Sequence, residues 1–77
     1  MTVIEVEFIE AVAMPGARVG GRQMDSRWHS ARNGNANNVS CKLFGPGFVF
    51  ETETDAVVVP WANVRWVKVD KETLPKR

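Results

Sequence analysis

The first residues of the chain alternate between apolar and charged side chains, as in a strand that buries one face. Glu5 and Glu7 occupy polar positions of residues 3–8, and the apolar positions between them would face a core. At Ile9-Glu10 the alternation changes phase, which indicates a β-bulge or a bend. The turn-forming run Met14-Pro15-Gly16 ends this first predicted strand.

Four more segments have the composition of strands. The second predicted strand covers Val39–Phe44 and is followed by the turn Gly45-Pro46-Gly47, after which the third strand begins at Phe48. The β-branched run Ala56–Val59 predicts a buried fourth strand, and Val64–Val69 predicts a fifth. The pattern therefore favours an all-β domain.

A proline separates the fourth predicted strand from the fifth. Pro60 has no N–H to donate to a ladder, so the strand must end or kink there. Trp61-Ala62-Asn63 then has the length of a single 3₁₀ turn before Val64 starts the last strand. This order of strand, proline, short turn and valine resembles the closing segment of SH3-like barrels and the C-termini of many small phage-encoded proteins. The resemblance covers the C-terminal half of the chain.

The predicted fold is a small five-stranded SH3-like or OB-like barrel. The resemblance implies this fold, but the chain has no tyrosine, which departs from the pattern by which SH3 domains bind polyproline. Residues 1–70 would form the single domain, and residues 71–77 a flexible tail. The long connection over residues 15–38 could hold a short helix at Asp25–Arg32, begun by Asp25 or Ser26 and ended by Asn33-Gly34.

Composition narrows the class of protein. The chain has 77 residues and a net charge of +1, so one domain with a thin core is expected. Its single cysteine, Cys41, allows no intrachain disulfide and fits a reducing compartment. The sequence shows no apolar run long enough for a membrane span and no signal-peptide pattern at its start. These features predict a soluble cytoplasmic protein.

The residue types and their spacing give little support for a catalytic function. One histidine and one cysteine give no spacing typical of a metal site, so neither a metal nor another cofactor is expected. His29 and Ser30 are neighbours without an orienting acid, and a surface histidine is the better interpretation. Glu51 and Glu53 share a strand face but are explained by solvation alone. The sequence therefore predicts a protein that is not an enzyme.

A basic loop gives the favoured functional hypothesis, which is binding of single-stranded or duplex nucleic acid. An exposed Trp28 would stack on a base while neighbouring guanidinium groups contact phosphates, with little sequence specificity. Trp66 is assigned mostly to the core, whereas the polar neighbours of Trp28 favour an exposed ring. The residues predicted to bind nucleic acid or a partner are Arg18, Arg22, Arg27, Trp28, Arg32 and Arg65.

Two other hypotheses stay open. The acidic strand residues and exposed apolar side chains could dock on another protein, in the way of a phage accessory protein that modulates a host protein. Unpaired edge strands of an incompletely closed barrel could also pair to form a homodimer, which would suit a structural or oligomer-forming component. Nucleic-acid binding should weaken steeply with salt, whereas apolar docking should not.

Overall fold

A computed structural model describes residues 1–16, 24–35 and 38–75. These residues form six strands and three short helical turns. The strands are β1 (Val3–Ala13), β2 (Met24–His29), β3 (Ser40–Phe44), β4 (Gly47–Glu51), β5 (Ala56–Pro60) and β6 (Val64–Val69). The turns are η1 (Ser30–Asn35), of π type, and the 3₁₀ turns η2 (Trp61–Asn63) and η3 (Lys71–Thr73).

The strands form two antiparallel sheets of three strands each. The first sheet has the order β2-β1-β6, and the second has the order β3-β4-β5. The all-β prediction is therefore confirmed, with six strands instead of the expected five. Within the described ranges the two sheets are separate ladders, and they do not form a closed barrel.

The additional strand, β2, corrects the helix predicted at Asp25–Arg32. β2 pairs with β1 and places Trp28 opposite Val6, and both side chains are buried. The helical turn η1 begins only at Ser30. The apolar contact of Trp28 across the ladder outweighs the weak local preference of a polar segment for a capped helix. Residues 17–23 and 36–37 of the predicted long connection lie outside the described residues.

Aromatic rings fill the space between the two sheets. Phe50 of β4 lies at the centre, with ring centroids 5.6 Å from Phe8 of β1 and 5.8 Å from Trp28 of β2. Burial of each such side chain contributes about 1.5–3 kcal/mol, so these few contacts dominate the stability of so small a core. The buried apolar residues are Val6, Phe8, Trp28, Val39, Phe48, Phe50 and Val59.

Side chains bridge the second half of β1 to the segment around β5. The Asn63 amide accepts a hydrogen bond from the Glu10 N–H (2.8 Å) and donates one to the Glu10 carbonyl (3.1 Å). Six residues further along the chain, beyond the end of β1, the Gly16 N–H donates to Asp55 Oδ1 at 2.9 Å, and Asp55 lies just before β5. Residue numbers rise along one segment as they fall along the other, so residues 10–16 run antiparallel to residues 55–63 and are joined to them by side-chain hydrogen bonds.

The C-terminal segment follows the predicted order and then continues into a third turn. The 3₁₀ turn at Trp61–Asn63 and the strand at Val64–Val69 are confirmed. Within the segment expected to be a flexible tail, η3 forms one turn whose Glu72 N–H donates to the capping Asp70 carboxylate at 3.0 Å. The Thr2 N–H donates to Thr73 Oγ1 at 2.7 Å, so η3 is attached to the start of the chain.

Candidate binding surfaces

The predicted arginine site does not come together as one cluster among the described residues. Arg18 and Arg22 lie outside the described residues. Arg27 and Arg65 lie on the outer face of the first sheet, and Arg32 lies on the η1 turn. The described part of the loop predicted from the sequence therefore forms the strand β2 and the turn η1.

Acidic residues of β1 neutralise both arginines on the sheet face. Arg27 donates to the Glu5 carboxylate at 3.3 Å and approaches Glu7 at 3.5 Å, and Arg65 approaches the other Glu7 oxygen at 3.4 Å. Strand register explains the arrangement, because Glu7 lies opposite Arg27 on one side and Trp66 on the other. An anionic ligand at this face would therefore compete with carboxylates already in place.

Trp28 is a core residue, which corrects the prediction of an exposed stacking ring. Its side chain is only 4% exposed, and its indole Nε1–H donates to the Val39 carbonyl at 3.0 Å. The buried ring has no free face on which a base could stack. Its polar neighbours in sequence were misleading, because alternate residues of a strand face opposite sides.

Trp66 shows the opposite correction. The sequence pattern places it mostly in the core, but its side chain is 41% exposed on the outer face of the first sheet. Between Phe8 opposite Val64 and Glu7 opposite Trp66, β6 carries one extra residue, Arg65. This bulge shifts the alternation by one position and turns both Arg65 and Trp66 outward. A bulge in a strand that mixes apolar and basic residues has no clear local signature, so the sequence could not place this ring.

The described residues carry an excess of negative charge. All nine acidic residues lie within the described ranges, together with six of the ten Lys and Arg residues, a difference of three negative charges. Three of those six cations take part in ion pairs, including Lys42 with Glu51 at 2.6 Å. Glu5, Glu7 and Glu51 are therefore paired side chains, whereas the neighbouring Glu53 is exposed.

Large apolar side chains gather at one end of the second sheet. Leu43 is 54% exposed, Phe44 51% and Trp61 46%. Phe44 lies opposite Gly47, which in turn lies opposite the exposed Pro60, and Leu43 lies opposite Phe48 on the other face. We call this group, formed by Leu43, Phe44, Pro60 and Trp61, the turn-end surface because it surrounds the Gly45-Pro46 turn.

Trp61 is fixed in place within the turn-end surface. Its indole Nε1–H donates to the Gly45 carbonyl at 3.0 Å, and its backbone N–H donates to the Pro46 carbonyl at 3.1 Å. Its ring meets Phe48 edge to face, with centroids 4.9 Å apart. A large ring that is half exposed and already oriented loses little conformational entropy when a partner covers it.

The residues considered for catalysis have structural roles. Burial raises the pKa of the Cys41 thiol from 9.0 to about 12, so the thiolate that would act as nucleophile is scarce at neutral pH. His29 Nδ1 accepts the Ala31 N–H at 3.1 Å and so helps to form the η1 turn. In the part of the chain that the structure describes, no three His, Cys, Asp or Glu side chains are grouped to hold a metal ion.

Comparison with protein-family models, with curated proteins and with solved structures finds no match to this chain. Among the described residues, no helix is long and apolar enough to cross a membrane. The function is therefore argued from the surfaces themselves.

Proposed function

We propose that this protein is a small non-catalytic module that docks on a protein partner through the turn-end surface. The carrying observation is that Leu43, Phe44 and Trp61, each about half exposed, all lie at the end of the second sheet that holds the Gly45-Pro46 turn. A chain this short has few apolar residues to spare from its core, so leaving three large ones together at the surface is costly without a partner.

The chemistry of the turn-end surface favours a protein partner over a nucleic acid. Its four members carry no charge, and Trp61 is of the residue type most enriched among interface hot spots. Nucleic-acid affinity depends mainly on cations that meet phosphates. The described surface has an acidic excess, and three of its cations are already ion-paired.

Capture from a nuclease-treated extract of cells that make the protein tests this proposal. The wild type should retain a discrete protein that the double variant Leu43→Ser/Phe44→Ser loses. Met24→Ser is the matched control, since Met24 is 58% exposed but lies on β2, an outermost strand of the other sheet. A partner that the double variant retains as well as the wild type would contradict the proposal.

A second candidate function, nucleic-acid binding, has one specific observation in its favour. Trp66 is exposed on an open sheet face between the cations Arg65 and Lys68. A flat aromatic ring with flanking cations is the pattern by which sheets bind single strands without sequence preference. Under this candidate Trp66, and not Trp28, would be the stacking residue.

Titration with labelled single-stranded and duplex oligonucleotides at low and moderate salt tests the second candidate. Binding should be salt-sensitive and should weaken about tenfold or more in Trp66→Ala, the scale of one lost base-stacking contact. Ile9→Ala serves as the control for loss of an exposed apolar side chain. Absence of binding at low salt would end this candidate.

We also propose that the two sheets correspond to an SH3-like barrel that is open between its ladders. The central position of β1 between β2 and β6, and the η2 turn that leads from β5 into β6, support this interpretation. The side-chain bridge from Asn63 to Glu10 occupies the place where a ladder would close the barrel. A free Cys41 supports residence in the reducing cytoplasm.

A further inference from the structure

We propose that Asn33 is a site of spontaneous covalent modification whose reaction is controlled by opening of the η1 turn. Asn33 is the one asparagine of the chain that is followed by glycine. In such a pair the backbone nitrogen of the glycine has access to the asparagine side chain, because glycine carries no side chain that shields it. The reaction needs no reactant besides water.

The reaction converts the side-chain amide of Asn33 into a carboxylate. The Gly34 nitrogen attacks Asn33 Cγ and loses its proton, while Nδ2 takes up a proton and leaves as ammonia, which closes a succinimide ring. Water then adds its oxygen to one ring carbonyl carbon, and the bond from that carbon to the Gly34 nitrogen breaks as the nitrogen regains a proton. The product is aspartate or isoaspartate. In isoaspartate the main chain runs through Cβ and Cγ, and the former backbone carbonyl has become the carboxylate.

The folded chain holds the Asn33 amide away from this attack. Asn33 is 9% exposed, and its Oδ1 accepts the His29 N–H at 2.8 Å, so the amide oxygen points back towards β2. Gly34 follows Asn33 in the chain, so the amide must leave His29 before Cγ approaches the Gly34 nitrogen. The His29 ring reinforces the turn, since its Nδ1 accepts the Ala31 N–H at 3.1 Å. Modification therefore requires local opening of η1.

Packing against Trp28 explains why glycine follows Asn33. A Cβ at Gly34 would lie 3.3 Å from Cζ2 of the buried Trp28 ring, closer than the optimal separation of two carbon atoms. A larger residue at position 34 would shield the amide nitrogen but would disturb the ring. The reactive pair is thus a consequence of how η1 packs on the core.

Isoaspartate cannot rebuild the contacts of η1. The Asn33 backbone carbonyl accepts the Val39 N–H at 2.8 Å, and the Val39 carbonyl accepts the Trp28 indole N–H at 3.0 Å. The longer main chain of isoaspartate displaces the acceptors of residue 33, so the Val39 N–H loses its partner beside the core. Aspartate keeps the normal main chain and an oxygen for the His29 N–H. Isoaspartate formation therefore makes the opening of η1 irreversible.

Peptide mapping by mass spectrometry, after incubation of the purified protein at mildly alkaline pH with and without urea, tests the control by η1. Isoaspartate at position 33 should form at least about tenfold more slowly in the folded chain, the ratio expected when about two hydrogen bonds must open first. His29→Ala removes the ring acceptor and should speed the reaction where its tryptophan emission is that of a folded chain. Asn63 is the internal control, because its Oδ1 also accepts a backbone N–H but valine follows it.

Urea unfolding of the separated products tests the consequence for the fold. The isoaspartyl protein should have a lower urea midpoint than Asn33→Asp, which carries the same charge on a normal main chain. Equal rates of modification in the folded chain and in urea would overturn control by η1. Equal midpoints of the isoaspartyl protein and Asn33→Asp would overturn irreversible opening, and an unmodified Asn33 after incubation in urea would overturn the site itself.

Discussion

At the scale of single residues, Gly47 lies where the backbone of β5 passes too close for a side chain. A Cβ at this position would come within 1.9 Å of the Val59 carbonyl oxygen. Gly47→Ala should therefore destabilise the protein by about 3 kcal/mol, the upper end of typical overpacking costs, as measured by urea unfolding. Gly45→Ala is the control, because a Cβ there meets nothing within 4 Å. Equal stability of the two variants would contradict the close strand approach.

The two misassigned tryptophans give a second prediction. Trp28→Phe should lower the unfolding free energy by about 2 kcal/mol, because it leaves the Val39 carbonyl without its donor and shrinks a buried ring. Trp66→Phe should change it by no more than about 0.5 kcal/mol, as surface substitutions do. Thermal or urea unfolding of both variants checks this order, and the reverse order would restore the sequence-based assignment.

Cys41 predicts a pH dependence of stability at alkaline pH. Burial raises its pKa from 9.0 to about 12 in the folded chain, so the folded state keeps a proton that the unfolded state releases. Stability relative to Cys41→Val, which cannot titrate, should be constant below pH 9 and should fall as the pH rises from 9 towards 12. Unfolding free energies of both proteins across this range test the sign, which a flat difference would contradict.

At the scale of elements, the hydrogen bonds between the Asn63 side chain of η2 and the Glu10 backbone of β1 are predicted to stabilise the contact between these two elements. Asn63→Ala removes both hydrogen bonds to the Glu10 backbone and should cost about 1–2 kcal/mol. Glu10→Ala keeps the same backbone groups and should be nearly neutral. If Glu10→Ala were as destabilising as Asn63→Ala, the bridge would not be the cause.

The sequence could predict elements whose pattern is local. Three local signals lie where the sequence predicts them: the alternation of residues 3–8, the proline before η2, and the valine-rich segment Val64–Val69. β2 carries no such signal, because Trp28 is its single buried residue and its burial comes from contacts with other strands. Pairing with β1 therefore determines that residues 24–29 form a strand.

The candidate site was less predictable than the fold. Alternation places Leu43 on the same face of β3 as Cys41, so the sequence predicts that Leu43 is buried. Leu43 is exposed because β3 lies at the edge of its sheet. Sheet order is a property of the whole topology and cannot be read from one strand. The arginine pattern was visible in the sequence, but the carboxylates that neutralise Arg27 and Arg65 come from a distant strand.

At the scale of the whole molecule, binding chemistry is divided between two surfaces. The outer face of the first sheet holds the ion pairs of Glu5 and Glu7 and the exposed Trp66, whereas the second sheet ends in the uncharged turn-end surface. A salt-sensitive ligand would use the first surface and an apolar partner the second. Salt dependence of binding therefore reports which surface is in use.

The most direct test of the docking account is the affinity of the purified captured partner at low and moderate salt. Leu43→Ser/Phe44→Ser should weaken binding at least about tenfold, since each half-exposed side chain contributes about 1 kcal/mol or more when a partner covers it. The wild-type affinity should change little with salt. Unchanged affinity in the double variant, or a steep fall of wild-type affinity with salt, would contradict docking through the turn-end surface.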